Sequence, residues 1–68
     1  MDNQVSDPIR GISYDEERQR LVVRFADGDE LAFVGVPGDV HRSFADAPFK
    51  GRFFADEIEG RYPYNKLS

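Results

Sequence analysis

Large apolar residues recur at every second position in Leu21-Val22-Val23-Arg24-Phe25 and again in Leu31-Ala32-Phe33. Such alternation marks half-buried strands, and the β-branched and aromatic content agrees. Asp27-Gly28 between the runs is a turn dipeptide, and parity decides the loop length. A two-residue Asp27-Gly28 loop would pair Ala26 with Asp29 and set Val23 opposite Ala32, with Leu31 and Phe33 on the wrong side. A three-residue loop, Ala26-Asp27-Gly28, pairs Phe25 with Asp29, Val23 with Leu31 and Leu21 with Phe33. Leu21, Val23, Phe25, Leu31 and Phe33 then share one face, the expected core; a one-residue slip would turn a whole strand's set over. Loops of this length place a glycine in the left-handed region, and Gly28 stands at that position.

Upstream, Ile9, Gly11 and Ser13 alternate with Arg10, Ile12 and Tyr14 in a short strand, with Gly11 marking a bend or bulge. Residues 15–20 form a charged turn or a ragged strand extension. Residues 1–7 are polar and aperiodic, which predicts a flexible N-terminal tail before a single domain over 8–68. Downstream, Gly35-Val36-Pro37-Gly38 ends the sheet. Val40, Phe44 and Ala47 then fall on one helical face, with Pro37 in the first turn, Asp39 capping it or favouring that turn, and Pro48 as the stop. A second short helix is predicted over about residues 50–59, with Phe54 and Ile58 on one face, Phe53 beside them and Gly60 at its end. Arg61-Tyr62-Pro63-Tyr64 is extended, because the residue before proline avoids the helical region. The order is strand, strand, strand, helix, helix, extended tail. This is an α+β chain, a thin three-stranded meander whose strong twist, with its two short C-terminal helices or the tail closing one side, completes a single core.

At 68 residues the core must be small. With no cysteine, disulfides and thiolate metal sites are excluded. No apolar run reaches the ~18 residues of a membrane span, and MDNQVSDPIR lacks the regions of a secretory signal. No membrane association and, by default, a cytoplasmic place are expected. His41 stands alone on a predicted helix, and Ser6, Ser13, Ser43 and Ser68 lack a nucleophile motif. Asp15-Glu16-Glu17 and Asp56-Glu57 are adjacent carboxylates that point apart. No G-x-x-x-x-G-K loop occurs. These absences predict no catalytic residues, no metal, no cofactor and no enzyme.

The net charge of −4 argues against broad non-specific nucleic-acid binding but leaves room for a local patch. Lys50, Arg52, Arg61 and Lys66 are interleaved with Phe53, Tyr62 and Tyr64. Cations beside exposed rings hold single-stranded nucleic acid by phosphate contact and base stacking. The candidate nucleic-acid-binding set is therefore Lys50, Arg52, Arg61, Tyr62, Tyr64 and Lys66. The competing reading is a solvated surface, since Asp56, Glu57 and Glu59 share the segment and tyrosines often cap a core.

One known family shares this order of residues. Val5-Ser6, Ile9, Ile12-Ser13-Tyr14-Asp15, Leu21-Val22-Val23-Arg24-Phe25, Asp27-Gly28, Val36-Pro37, Gly51-Arg52-Phe53-Phe54, Ile58 and Tyr62-Pro63-Tyr64 together resemble the KTSC domain, over about residues 5–67. This short module is named after the C-terminus of some lysyl-tRNA synthetases and also occurs alone as a small bacterial protein. The resemblance implies a bacterial protein with a small, strongly bent antiparallel β-meander like an incomplete SH3- or Sm-like barrel, and RNA as a partner. The family's third strand usually carries Tyr-x-Tyr, where this chain has Leu31 and Phe33. That departure favours a core role for both positions. Phe49 is a second departure, replacing a small polar residue with a core or contact phenylalanine. The leading expectation is a small non-enzymatic binding module, an accessory to RNA (tRNA or single-stranded) that binds weakly. The alternative is a protein–protein interaction or self-association module with no nucleic-acid role, using a sheet edge or the Phe49–Phe53 region. Arginines along the sheet edges predict a monomer or weak dimer.

Overall fold

A computed structural model describes residues 8–68; the expected tail, residues 1–7, lies outside the described residues. The elements are β1 (Ile9–Asp15), β2 (Arg20–Phe25), β3 (Glu30–Phe33), α1 (Gly38–Asp46), α2 (Lys50–Phe53), one π-helical turn (Phe54–Ile58) and β4 (Tyr64–Lys66). The strands form one antiparallel sheet in the order β1-β2-β3-β4.

The β2–β3 hairpin follows from its turn chemistry. The Gly28 N–H donates to the Phe25 carbonyl at 3.0 Å, and the Phe25 N–H donates to the Asp29 carbonyl at 2.9 Å. The Asp27 carboxylate accepts the Asp29 N–H at 3.1 Å, an Asx turn. Gly28 takes φ +100°, which only glycine adopts without strain. Leu21 pairs with Phe33 and Val23 with Leu31, the register of a three-residue loop. Leu21, Val23 and Phe33 are buried; Phe25 and Leu31, nearer the hairpin tip, are half-buried.

β1 departs from simple alternation. Ile9 pairs with Phe25, but Gly11 pairs with Arg24, so Arg10 is the extra residue of a bulge. A regular strand would put Ile9 and Ile12 on opposite faces. The bulge restores Ile9 to the side of Ile12 and Tyr14, which lie opposite Val23 and Leu21. Residues 16–19 are a turn, held by the Asp15 carboxylate accepting the Glu17 and Arg18 N–H groups.

The C-terminal segment is a paired strand, not merely an extended tail. Tyr64, Asn65 and Lys66 pair with Phe33, Ala32 and Leu31. Flanking bonds lengthen the contact, from the Val34 N–H to the Pro63 carbonyl and from the Leu67 N–H to the Glu30 carbonyl. The sheet is open. Among the described residues no ladder joins β1 to β4, so the sheet does not close into a barrel. The helical elements, not strand closure, cover the apolar face.

Pro37 is the N-cap of α1 and makes no side-chain cap bond, and Asp39 lies in the first turn, where its charge suits the helix dipole. Phe44 on α1 is fully buried. The second helix keeps its α geometry only over Lys50–Phe53 and then widens, with the Glu59 N–H donating to the Phe54 carbonyl at 2.8 Å. Through this segment Phe53 stacks on Phe44 at 5.4 Å, while Phe54 meets Phe25 and Phe33 edge-on at 5.4 and 5.5 Å. The wide turn also leaves Ile58 fully buried. The core is Ile9, Leu21, Val23, Phe33, Val36, Phe44, Phe54 and Ile58. On the other sheet face Ala32 is buried between its cross-strand neighbours Val22 and Asn65.

Candidate nucleic-acid interface

The six candidate residues fall into two groups. Arg61, Tyr62, Tyr64 and Lys66 lie on β4 and its approach, beside β3, whereas Lys50 and Arg52 lie on α2, which packs on α1 and the π-turn.

In the β4 group, Tyr64 and Lys66 are two residues apart on a strand and point to the same side, that of Phe33 and Leu31. The Tyr64 ring sits 5.3 Å from the Phe33 ring, tilted by 41°. It is nonetheless 57% exposed. It is thus the outermost member of an aromatic series running Phe25, Phe54, Phe33, Tyr64. One side of the ring is fixed by the core and the rest faces water. Lys66 Nζ lies 3.7 Å from Asp29 Oδ1, and both side chains are about half exposed or more. An exposed pair of this kind contributes little and exchanges readily. Tyr62 is half-buried against the core, and Arg61 is exposed.

In the α2 group, Lys50 is half-buried and its Nζ donates to the Ala47 carbonyl at 3.1 Å. Arg52 is exposed and lines a groove of about 250 Å³ with Ala47, Pro48, Phe49, Phe53, Asp56 and Glu57. Asp56 and Glu57 line the same groove, so Arg52 sits in a surface of mixed charge.

A further constellation escaped the sequence reading. The Tyr14 hydroxyl donates to the Val36 carbonyl at 2.6 Å, and its ring stacks on His41 at 4.5 Å with the planes 9° apart. This contact docks α1 onto β1 and gives the lone histidine a packing role. Burial pushes the Tyr14 hydroxyl pKa up, the Glu16 and Asp39 carboxylates add to the rise, and Arg42 opposes it. The only hint along the chain was Tyr14 at an inward position of β1; its helical partner is 27 residues away, beyond any local pattern. Among the described residues, no cluster of three His, Cys, Asp or Glu could hold a metal ion, and no helix is long and apolar enough to cross a membrane.

Known proteins match this chain along most of its length. The KTSC domain model matches residues 5–62. Curated relatives are lysine–tRNA ligases of Nostoc punctiforme and Trichormus variabilis, each 32% identical over 60 residues, 88% of this chain and 11% of theirs. The chain thus spans only 11% of the length of those relatives. The crystal structure of a KTSC domain protein from Yersinia pestis is similar with a TM-score of 0.86 and 32% identity, covering 98% of this chain and 94% of that one. With the residues expected from the family's pattern and the shared backbone in agreement, the chain belongs to the KTSC domain family.

Proposed function

We propose that this KTSC domain is a small non-enzymatic binding module that contacts RNA, tRNA or single-stranded, weakly and through β4. The observation that carries the reading is Tyr64: an aromatic ring braced by Phe33 on one side, more than half open on the other, with Lys66 two residues along the same strand face. A base stacks on the open side of such a ring. Phosphates flanking that base meet Lys66, which exchanges Asp29 for the nucleic acid, and Arg61, three residues before the strand. The match to a segment of lysine–tRNA ligases supports RNA as the partner class. The packed state of His41 against Tyr14 supports a binding role over a catalytic one.

Two cations imply a shallow salt dependence. At ~0.7 per phosphate on a single strand, the slope of log affinity against log salt is no steeper than about −1.4. Fluorescence anisotropy with labelled tRNA and single-stranded RNA at two salt concentrations tests this. Tyr64→Ala is expected to lose about 1–3 kcal/mol of binding, and Lys66→Gln to flatten the slope by about 0.7. Absence of binding at low salt with the protein near ~100 μM, the weak end of ordinary non-specific affinity, overturns the reading. The proposal extends to kinship and place: the bent open meander is an Sm- or SH3-like barrel left incomplete between β1 and β4, and the domain works in the cytoplasm. Superposition on such barrels tests the first, and cell fractionation the second.

A further inference from the structure

Phe49 is the most exposed large apolar side chain among the described residues, at 69%. It is not on a loose segment. Its carbonyl accepts the Phe53 N–H at 3.1 Å, and its backbone is the N-cap of α2. With Ala47, Pro48 and Phe53 it lines the groove of about 250 Å³, to which Arg52, Asp56 and Glu57 add one cation and two carboxylates. Among the described residues, Arg52, Asp56 and Glu57 make no ion pair with one another. The patch therefore holds an apolar knob, an apolar hollow, one cation and two carboxylates, none of them satisfied by the others.

We infer that this patch is a twofold self-association surface whose occupant is a second copy of the same chain. In a twofold contact each surface meets itself, so it must supply both halves of every interaction. This patch does so. Phe49 of one copy enters the hollow of the other between Pro48 and Phe53, and Arg52 comes against Asp56 and Glu57 of the opposite copy, with both contacts repeated by symmetry. The charge pattern selects this occupant. A purely basic or purely acidic partner would satisfy one sign of the groove and repel the other, whereas a second copy matches both. The patch is far smaller than the ~20–30 residues per side of a stable interface, so the dimer is weak, with a Kd on the order of 100 μM or higher. Its residues lie between Ala47 and Glu57 and include none of β4, so the inference stands independently of RNA binding.

Sedimentation equilibrium and amide chemical shifts measured on the whole chain from about 10 μM to about 1 mM test the inference, a range that brackets a Kd of this order. The expected result is a monomer–dimer equilibrium, with concentration-dependent shifts confined to residues 47–57. Phe49→Asp is expected to weaken association at least tenfold while leaving the fold intact, because the side chain is outside the core. Arg52→Glu alone, and the double variant Asp56→Arg with Glu57→Arg alone, are each expected to weaken self-association. An equimolar mixture of those two is expected to restore it as a heterodimer. A single monomer mass up to 1 mM overturns the inference, as does association unchanged by Phe49→Asp. Failure of the charge-swapped mixture to recover overturns the twofold register.

Discussion

The β2–β3 hairpin and the Phe49–Ile58 segment are both rich in large apolar residues, yet they dispose of them differently. In the hairpin, register assigns Leu21 to Phe33 and Val23 to Leu31, and one face is buried as a unit. In the helical segment, three phenylalanines stand within six residues; Phe54 is buried, Phe53 is half-buried, and Phe49 stays in water. A strand's two-residue period leaves each side chain only two directions, so turn length alone sorts them. A short helical segment offers a continuous range of directions, and contacts made elsewhere in the chain choose among them. Phe44 draws Phe53 inward, and Phe25 with Phe33 draws Phe54.

The sharpest way to break this contrast is to truncate one phenylalanine from each region. Phe33→Ala is expected to cost about 3–5 kcal/mol in chemical denaturation, enough to unfold much of so small a domain. Phe49→Ala is expected to stay within about 0.5 kcal/mol of the parent. Comparable losses from both would mean that Phe49 is a core residue after all.

Next in size is the hairpin turn. Nothing lies within 4 Å of a Cβ built on Gly28, so a side chain there meets open space and only the backbone conformation resists it. Gly28→Val is expected to destabilise by about 1–2 kcal/mol, the cost of holding a β-branched residue in the left-handed region. A neutral result would show that the loop can adopt another turn without losing the register.

The α1 side of the helical layer rests on Tyr14 and His41. His41→Ala is expected to cost about 0.5–1.5 kcal/mol, the contribution of a stacked ring pair beyond simple burial. A null effect on the melting temperature would show that Phe44 alone docks the helix.

The smallest expected effect is the pH dependence of the same contact. In the folded chain the Tyr14 hydroxyl pKa is raised above its ordinary 10.0, chiefly by burial. The folded state therefore holds this proton more tightly than the unfolded chain. The resulting stability is fully present below pH 10 and is lost as pH rises through the higher folded value. Denaturation between pH 8 and about 11 is expected to show this decline, and Tyr14→Phe is expected to remove Tyr14's share of it. A decline of the same size in the variant would show that Tyr14 does not carry it.

Much of this architecture was legible along the chain, for short-range reasons. The hairpin register followed from parity and one glycine. α1 followed from Val40, Phe44, Pro37 and Pro48, and the family followed from the order of its short motifs. Each of these depends on residues a few positions apart, where periodicity and turn chemistry act. Other features were settled by the tertiary structure. The bulge at Arg10 reconciles Ile9 with Ile12, which a regular strand would separate. Tyr64–Lys66 becomes a strand because β3, some thirty residues earlier, presents an edge for it; three exposed residues carry no pattern of their own. The π-turn arises where Phe53, Phe54 and Ile58 must all turn inward in one short segment. The six candidate binding residues read as one cluster along the chain, yet Tyr64 and Lys66 belong to the sheet and Lys50 and Arg52 to α2. Local sequence determined the pieces because their energetics are local. Which piece faces which was decided by long-range pairing and by competition for one small core.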